Sequence, residues 1–191
     1  PANRRFSMPD DPDLRPAEVP DFQRHVLPLL GRSGCNGRAC HGSFQGAGGL
    51  QLSLFGYDLR QDHAALTQPG SSSSESRVDR QQPDNSLILL KPSEQVPHAG
   101  GRRLETNSWQ YQLLRAWIAA GAQNTEQPLT LQALEVEPRE LLFRQPAEQA
   151  RVRVVAVWSN GLREDVTCLT RFRTNDDQVA VVDADGLVTA A

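Results

Sequence analysis

Bulky apolar side chains are scarce in this sequence. Aromatic residues make up 6% of its 191 residues, and there is a single methionine, Met8. A core with so few large groups leaves volume to be filled, because protein interiors pack densely; a bound cofactor would fill it. No apolar run approaches the roughly 18 residues that a membrane-spanning helix needs, which excludes such a span in this stretch. Positive charge is not in excess: Lys plus Arg is 20 against 23 for Asp plus Glu, a net charge of -3. That balance argues against a broad phosphate-binding surface and so against nucleic acid as a partner. Cysteines number three, an odd count that gives no disulfide framework. No nucleophile–base pair or pair of carboxylates stands out, so the reading is of a protein that is not an enzyme. The first residue is Pro1 rather than Met, and the expectation is of a processed or excised stretch without its targeting signals.

Turn formers are plentiful, with 14 Gly and 13 Pro. Residues 1–20 are Pro-rich and lack apolar periodicity, and are expected to form an extended arm. Over residues 21–31 Asp21 is a candidate N-cap, and Phe22, Val26, Leu29 and Leu30 share one helical face. Pro28 interrupts the pattern and predicts a short or kinked helix. Residues 34–49 are a Gly-rich loop. Residues 50–57 read as a short strand or an inward-packing apolar loop, 60–67 as a short helix, and 69–76 as a flexible polar loop. Residues 83–91 read as a turn into a short helix capped by Asp84 or Asn85, with Leu87, Leu89 and Leu90 inward. Residues 108–120 carry the strongest helical pattern, capped by Asn107 or Ser108 and ended by Gly121.

The character changes after residue 131. Short β-rich runs (LEVEP, ARVRVVAVW, TRFRT, VAVVD, LVTAA) alternate with turn signals, a pattern that suggests a β-sandwich. The expected organisation is an arm (1–20), a helical domain (21–124), a linker (125–130) and an all-β domain (131–191).

The chemistry-bearing motif is Cys35-Asn36-Gly37-Arg38-Ala39-Cys40-His41. Two cysteines with a histidine directly after the second mark covalent haem c attachment, usually with two intervening residues. Each thiol adds to a haem vinyl group, and the histidine becomes an axial ligand of the iron. Here four residues intervene, and Gly37 lets the backbone bulge to span both vinyls. Two other readings stay open: a Cys35–Cys40 disulfide, or a zinc site using Cys35, Cys40, His41 and a fourth ligand.

A sixth ligand is needed for electron transfer. Met8 lies ahead of the first helix, whereas His98 sits on a Pro/Gly loop ten residues before the last helix. His98 is therefore the expected distal ligand, and the metal ligands are His41 and His98. The competitors are His25, read as a surface or propionate contact, and His63, read as exposed. Two imidazoles give low-spin iron of low reduction potential. Arg38, Arg77, Arg80, Arg102 and Arg103 are candidate propionate partners. Trp109, Leu113 and Trp117 are expected to form a helix core facing the haem. Cys168 is read as a buried free thiol in a strand-like stretch.

Residues 22–122 resemble the cytochrome c-like domains of large planctomycete proteins. The resemblance lies in VLPLL, CNGRACHG, GLQLSLFGYD, NSLILLKPSEQVPHAGGRRL and YQLLRAWIAAGA. It implies a small all-α class I cytochrome c-like domain with one covalent haem c per chain, held by Cys35, Cys40, His41 and His98. LEVEPRELLF, VRVVAVWSNGLREDVTCLTRF and VAVVDADGLVTAA resemble a bacterial immunoglobulin-like domain of group 2, which implies an all-β sandwich that is incomplete here. The expectation is a multi-domain, periplasmic or otherwise exported electron-transfer protein. Its partner would be a redox protein or another domain of a larger parent chain. The alternatives are a haem-based sensor, or a structural or surface-binding module with a disulfide or zinc in place of haem.

Overall fold

The computed structural model describes residues 18–69 and 76–191. The arm before residue 18, including Met8, and most of the polar loop at 69–76 lie outside the described residues. Two compact units divide between residues 126 and 127.

In the first unit Asp21 opens the helical segment, accepting the Arg24 amide at 2.8 Å. A π-turn over Phe22–Val26 then leads into α1 (Leu27–Arg32). Pro28 explains that division. It lacks an amide proton, so the ordinary i to i−4 ladder cannot run through it, and it sits instead in the first turn of α1. Thr125 ties the end of the unit back to this start: its hydroxyl bonds both oxygens of Asp21 at 3.1 Å and accepts the Gln23 amide at 3.0 Å.

Next come a 3₁₀ turn at Leu54–Gly56, α2 (Leu59–Thr67), a second 3₁₀ turn at Pro83–Asn85 and α3 (Leu87–Leu90). The last helix is α4 (Trp109–Ala119), capped by the Ser108 hydroxyl, which accepts the Tyr111 amide. Residues 50–57 form no sheet; Leu52 is buried, while Phe55 and Tyr57 are exposed. In α3 it is Ile88 and Leu89 that are buried, and Ser86, not Asp84 or Asn85, precedes the helix. Phe22, Leu29, Leu66, Leu89, Leu113, Trp117 and Ile118 are almost wholly buried. Each contributes about 1.5–3 kcal/mol by leaving water.

The second unit holds β1 (Leu131–Glu137), β2 (Gln149–Arg151), β3 (Arg153–Trp158), β4 (Arg163–Asp165), β5 (Ala180–Val182) and β6 (Leu187–Ala190). They form two antiparallel three-stranded sheets, ordered β1-β3-β4 and β2-β6-β5. Central β3 buries Val154, Val155, Ala156 and Trp158. Arg163 bonds Glu135 on β1, and Arg153 bonds Asp165 on β4 at 2.7 Å, cross-strand pairs that hold the register. TRFRT is not a strand, and Cys168 lies half-buried in a 3₁₀ turn, Thr167–Leu169, rather than in a strand.

The expected fold class is corrected by this architecture. Among the described residues there are four short α-helices and two small sheets, so the chain is an α+β mixture, not a small all-α cytochrome domain followed by a sandwich. The glycines and prolines account for the helical part: they cut it into pieces of 4 to 11 residues joined by long ordered turns.

A cavity between two facing histidines

The helix cap of α1 positions the motif. Gly34 has φ +79°. Its amide bonds the Gly31 carbonyl at 3.1 Å, and the Cys35 amide bonds the Leu30 carbonyl at 2.9 Å. This is a Schellman cap, with the left-handed residue supplied by glycine. Cys35 is therefore the first residue beyond the cap. The four residues to Cys40 fold as consecutive turns: the Gly37 amide bonds Gly34, the Cys40 amide bonds Gly37, and the His41 amide bonds the Cys35 carbonyl at 2.9 Å. The last of these bonds closes the bulge across the whole motif. Gly42 lies so close to it that a Cβ there would stand 2.1 Å from the Asn36 carbonyl oxygen.

Cys35, Cys40, His41 and His98 all line one cavity of about 580 Å³, within the range of about 300–1,000 Å³ typical of cofactor sites. Its walls are largely apolar: Leu29, Leu30, Leu52, Leu66, Ile88 and Leu114 all contribute. The two imidazole rings lie with centroids 6.4 Å apart and planes 14° from parallel. A metal held between two imidazole nitrogens would set the centroids about 6 Å apart, since metal–nitrogen bonds are about 2 Å and each nitrogen stands about 1 Å from its ring centre.

Both rings are oriented from behind. His41 donates from Nδ1 to the carbonyls of Ala47 at 3.0 Å and Leu50 at 3.2 Å. His98 donates from Nδ1 to the Gly101 carbonyl at 2.8 Å. With each Nδ1 carrying the proton, each Nε2 keeps its lone pair, the arrangement usual for metal-bound histidine. Burial holds the His41 imidazole below its ordinary pKa; the bonds to Leu50 and Ala47 oppose this, and the charges of His98 and Arg77 add to it. The ring is thus neutral, as a ligand must be.

Both motif cysteines are free thiols. Burial pushes the Cys35 thiol up to about 11, with Cys40 adding to the rise and Arg103 opposing it. It is therefore protonated at neutral pH. Among the described residues Cys35, Cys40 and His41 do not gather their ligand atoms around one point as a tetrahedral zinc site would.

The other candidates fall elsewhere. His25 is fully buried, not on the surface, and its Nδ1 accepts the Asp21 amide at 2.8 Å. His63 is half-buried rather than exposed; its Nε2 donates to the Ala122 carbonyl at 2.8 Å, and its ring packs on Phe22 and Trp117. Of the candidate arginines, Arg77 and Arg103 line the cavity. Arg38 is exposed, Arg80 bonds the Gly121 carbonyl, and Arg102 pairs with Glu94 and Glu105. Lys91 also lines the cavity and was missed, although its place just before the Pro92–Gly101 loop was a signal for it. On α4 the cavity meets Leu114, not Trp109, Leu113 or Trp117. Trp109 instead lies under Arg32, and Trp117 stacks on Phe22.

The chain matches no family model, no curated protein and no solved structure among those compared. The functional reading therefore rests on the site itself.

Proposed function

We propose that this chain is a monohaem c-type electron-transfer protein. The observation that carries the reading is the pair His41 and His98: parallel rings at metal-bridging distance, each with Nδ1 donated to a backbone carbonyl. Cys35 and Cys40 would hold the haem by adding each S–H across a vinyl double bond. His41 and His98 would supply the axial nitrogens. The bound haem supplies a one-electron Fe(III)/Fe(II) couple.

The residues around it set its character. The carbonyls of Ala47, Leu50 and Gly101 fix the ring tautomers and make the imidazoles better donors. Two imidazole donors, His41 and His98, would favour Fe(III) and so a low potential, and would leave no open position for oxygen, which suits electron transfer. Leucine and isoleucine side chains form much of the wall around the site. Thioether attachment takes place outside the cytoplasm, so the reading carries an exported location, with a redox protein or another domain of a parent chain as the partner. No helix of the described residues is long and apolar enough to cross a membrane.

The test is a pyridine haemochrome spectrum and an intact mass on protein made in cells that mature c-type cytochromes. A haem c α-band and a mass raised by one haem are expected. A colourless chain at its unmodified mass overturns the reading.

A further inference from the structure

We infer that Arg77 is the carboxylate anchor of the cavity and holds a haem propionate; this rests on the haem reading above. Arg77, Lys91 and Arg103 line it, and no carboxylate does so among the described residues. The remaining titratable groups on the wall are His41, His98 and the two motif thiols. The cavity thus presents cations without a matching anion.

Arg77 is the decisive one. It is 8% exposed. Among the described residues one of its five N–H donors is used: Nη2 bonds the Gly49 carbonyl at 2.6 Å. It has no carboxylate partner among the described residues. A charge taken out of water without a counter-ion is costly, and the remedy is a buried anion with good hydrogen-bond geometry. The guanidinium fork matches a carboxylate with two parallel bonds. The Arg77 backbone is held as well: its carbonyl accepts the Ile88 amide at 3.1 Å, which fixes the segment against α3. Lys91 and Arg103 are less committed. Each reaches a loop carbonyl, Lys91 that of Pro97 at 3.4 Å and Arg103 that of Gly100 at 3.0 Å, and each bond is exposed. The ligand class is therefore a dicarboxylate tetrapyrrole whose better-buried acid meets Arg77.

The test uses the matured, haem-loaded chain and its variants Arg77→Gln and Arg77→Lys. The readouts are the propionate bending band in resonance Raman and the pH dependence of the reduction potential. In the wild type the guanidinium keeps the propionate ionised, so the potential is flat between about pH 5 and 8. In Arg77→Gln the propionate protonates within that range. The potential then falls as pH rises through it, because the newly ionised acid favours Fe(III), and the bending band shifts. Arg77→Lys keeps the flat profile but shifts the band, since a point charge replaces the fork; this second variant decides the matter if Arg77→Gln does not accumulate. A loaded wild type whose variants match it in both band and profile overturns this assignment alone. A wild type that takes up no haem overturns the reading it rests on, and this assignment with it.

Discussion

A methyl group placed on Gly100 would stand 2.8 Å from Cε1 and 3.1 Å from Nε2 of the His98 ring. The glycine two residues on from His98 is therefore what lets that ring lie against its own loop. Gly100→Ala must push the imidazole away from its present position, while the motif on the other side of the cavity is untouched. The expected outcome is a chain that still carries covalent haem but has lost part of its low-spin character, read from the absorption spectrum of the ferric protein.

Gly42→Ala acts on the opposite wall. The added carbon would lie 2.1 Å from the Asn36 carbonyl oxygen and 2.7 Å from its carbon. Neither atom is the end of a flexible side chain, so the turn closing the motif must open. A loss of about 3 kcal/mol is expected, at the upper end of ordinary single substitutions. Urea unfolding of the unloaded chain measures it, and a loss below about 1 kcal/mol would contradict the close packing described for this turn.

Trp117 tests the core that sequence periodicity assigned to the haem. Its ring stacks on Phe22 at 5.4 Å and donates from Nε1 to the Gln123 carbonyl at 2.9 Å. Trp117→Ala should cost about 3–5 kcal/mol in thermal or denaturant unfolding, the range for a large aromatic removed from a core. It should leave the spin state of the loaded protein unchanged, because Leu114 rather than Trp117 lines the cavity.

Asp84 gives a pH-dependent prediction. Its bonds from Arg115, at 2.7 and 2.9 Å, hold its carboxyl below the ordinary value, and only slight burial opposes them. The folded value being depressed, the pair stabilises at pH above the ordinary carboxyl range and is lost as pH falls through the folded value. Asp84→Asn should therefore cost about 0.2–1 kcal/mol near neutrality, as expected for an exposed pair. The difference from wild type should shrink once pH falls below the ordinary carboxyl range and through the depressed folded value, where both chains lack the charge.

These residues also show what was legible in the sequence. Cys35, Cys40, His41 and His98, which line one cavity, could be singled out in the sequence because their patterns are local: a thiol pair beside a histidine, and a histidine framed by Pro97, Gly100 and Gly101. The strong elements were readable for the same reason. The pattern of residues 108–120 corresponds to α4, and the alternation of residues 151–157 to β2 and β3. What could not be read were choices settled by distant partners. Leu113, Leu114 and Trp117 all fall on the apolar side of α4, and which of them meets the cavity depends on where Phe22 and His63 pack. His63 has a polar sequence context, yet the carbonyl of Ala122, 59 residues away, draws it inward. The fold class was misjudged because the resemblance implied a small all-α domain followed by a sandwich, whereas the described residues form four short helices and two small sheets.

The pairing of His41 with His98 across one metal is the centre of this account. The most direct test is the ferric absorption spectrum of the loaded wild type beside that of His98→Ala. A low-spin wild type and a high-spin variant, both still carrying covalent haem, are the predicted result. A variant as low-spin as the wild type would contradict it, and would move the sixth ligand to another residue.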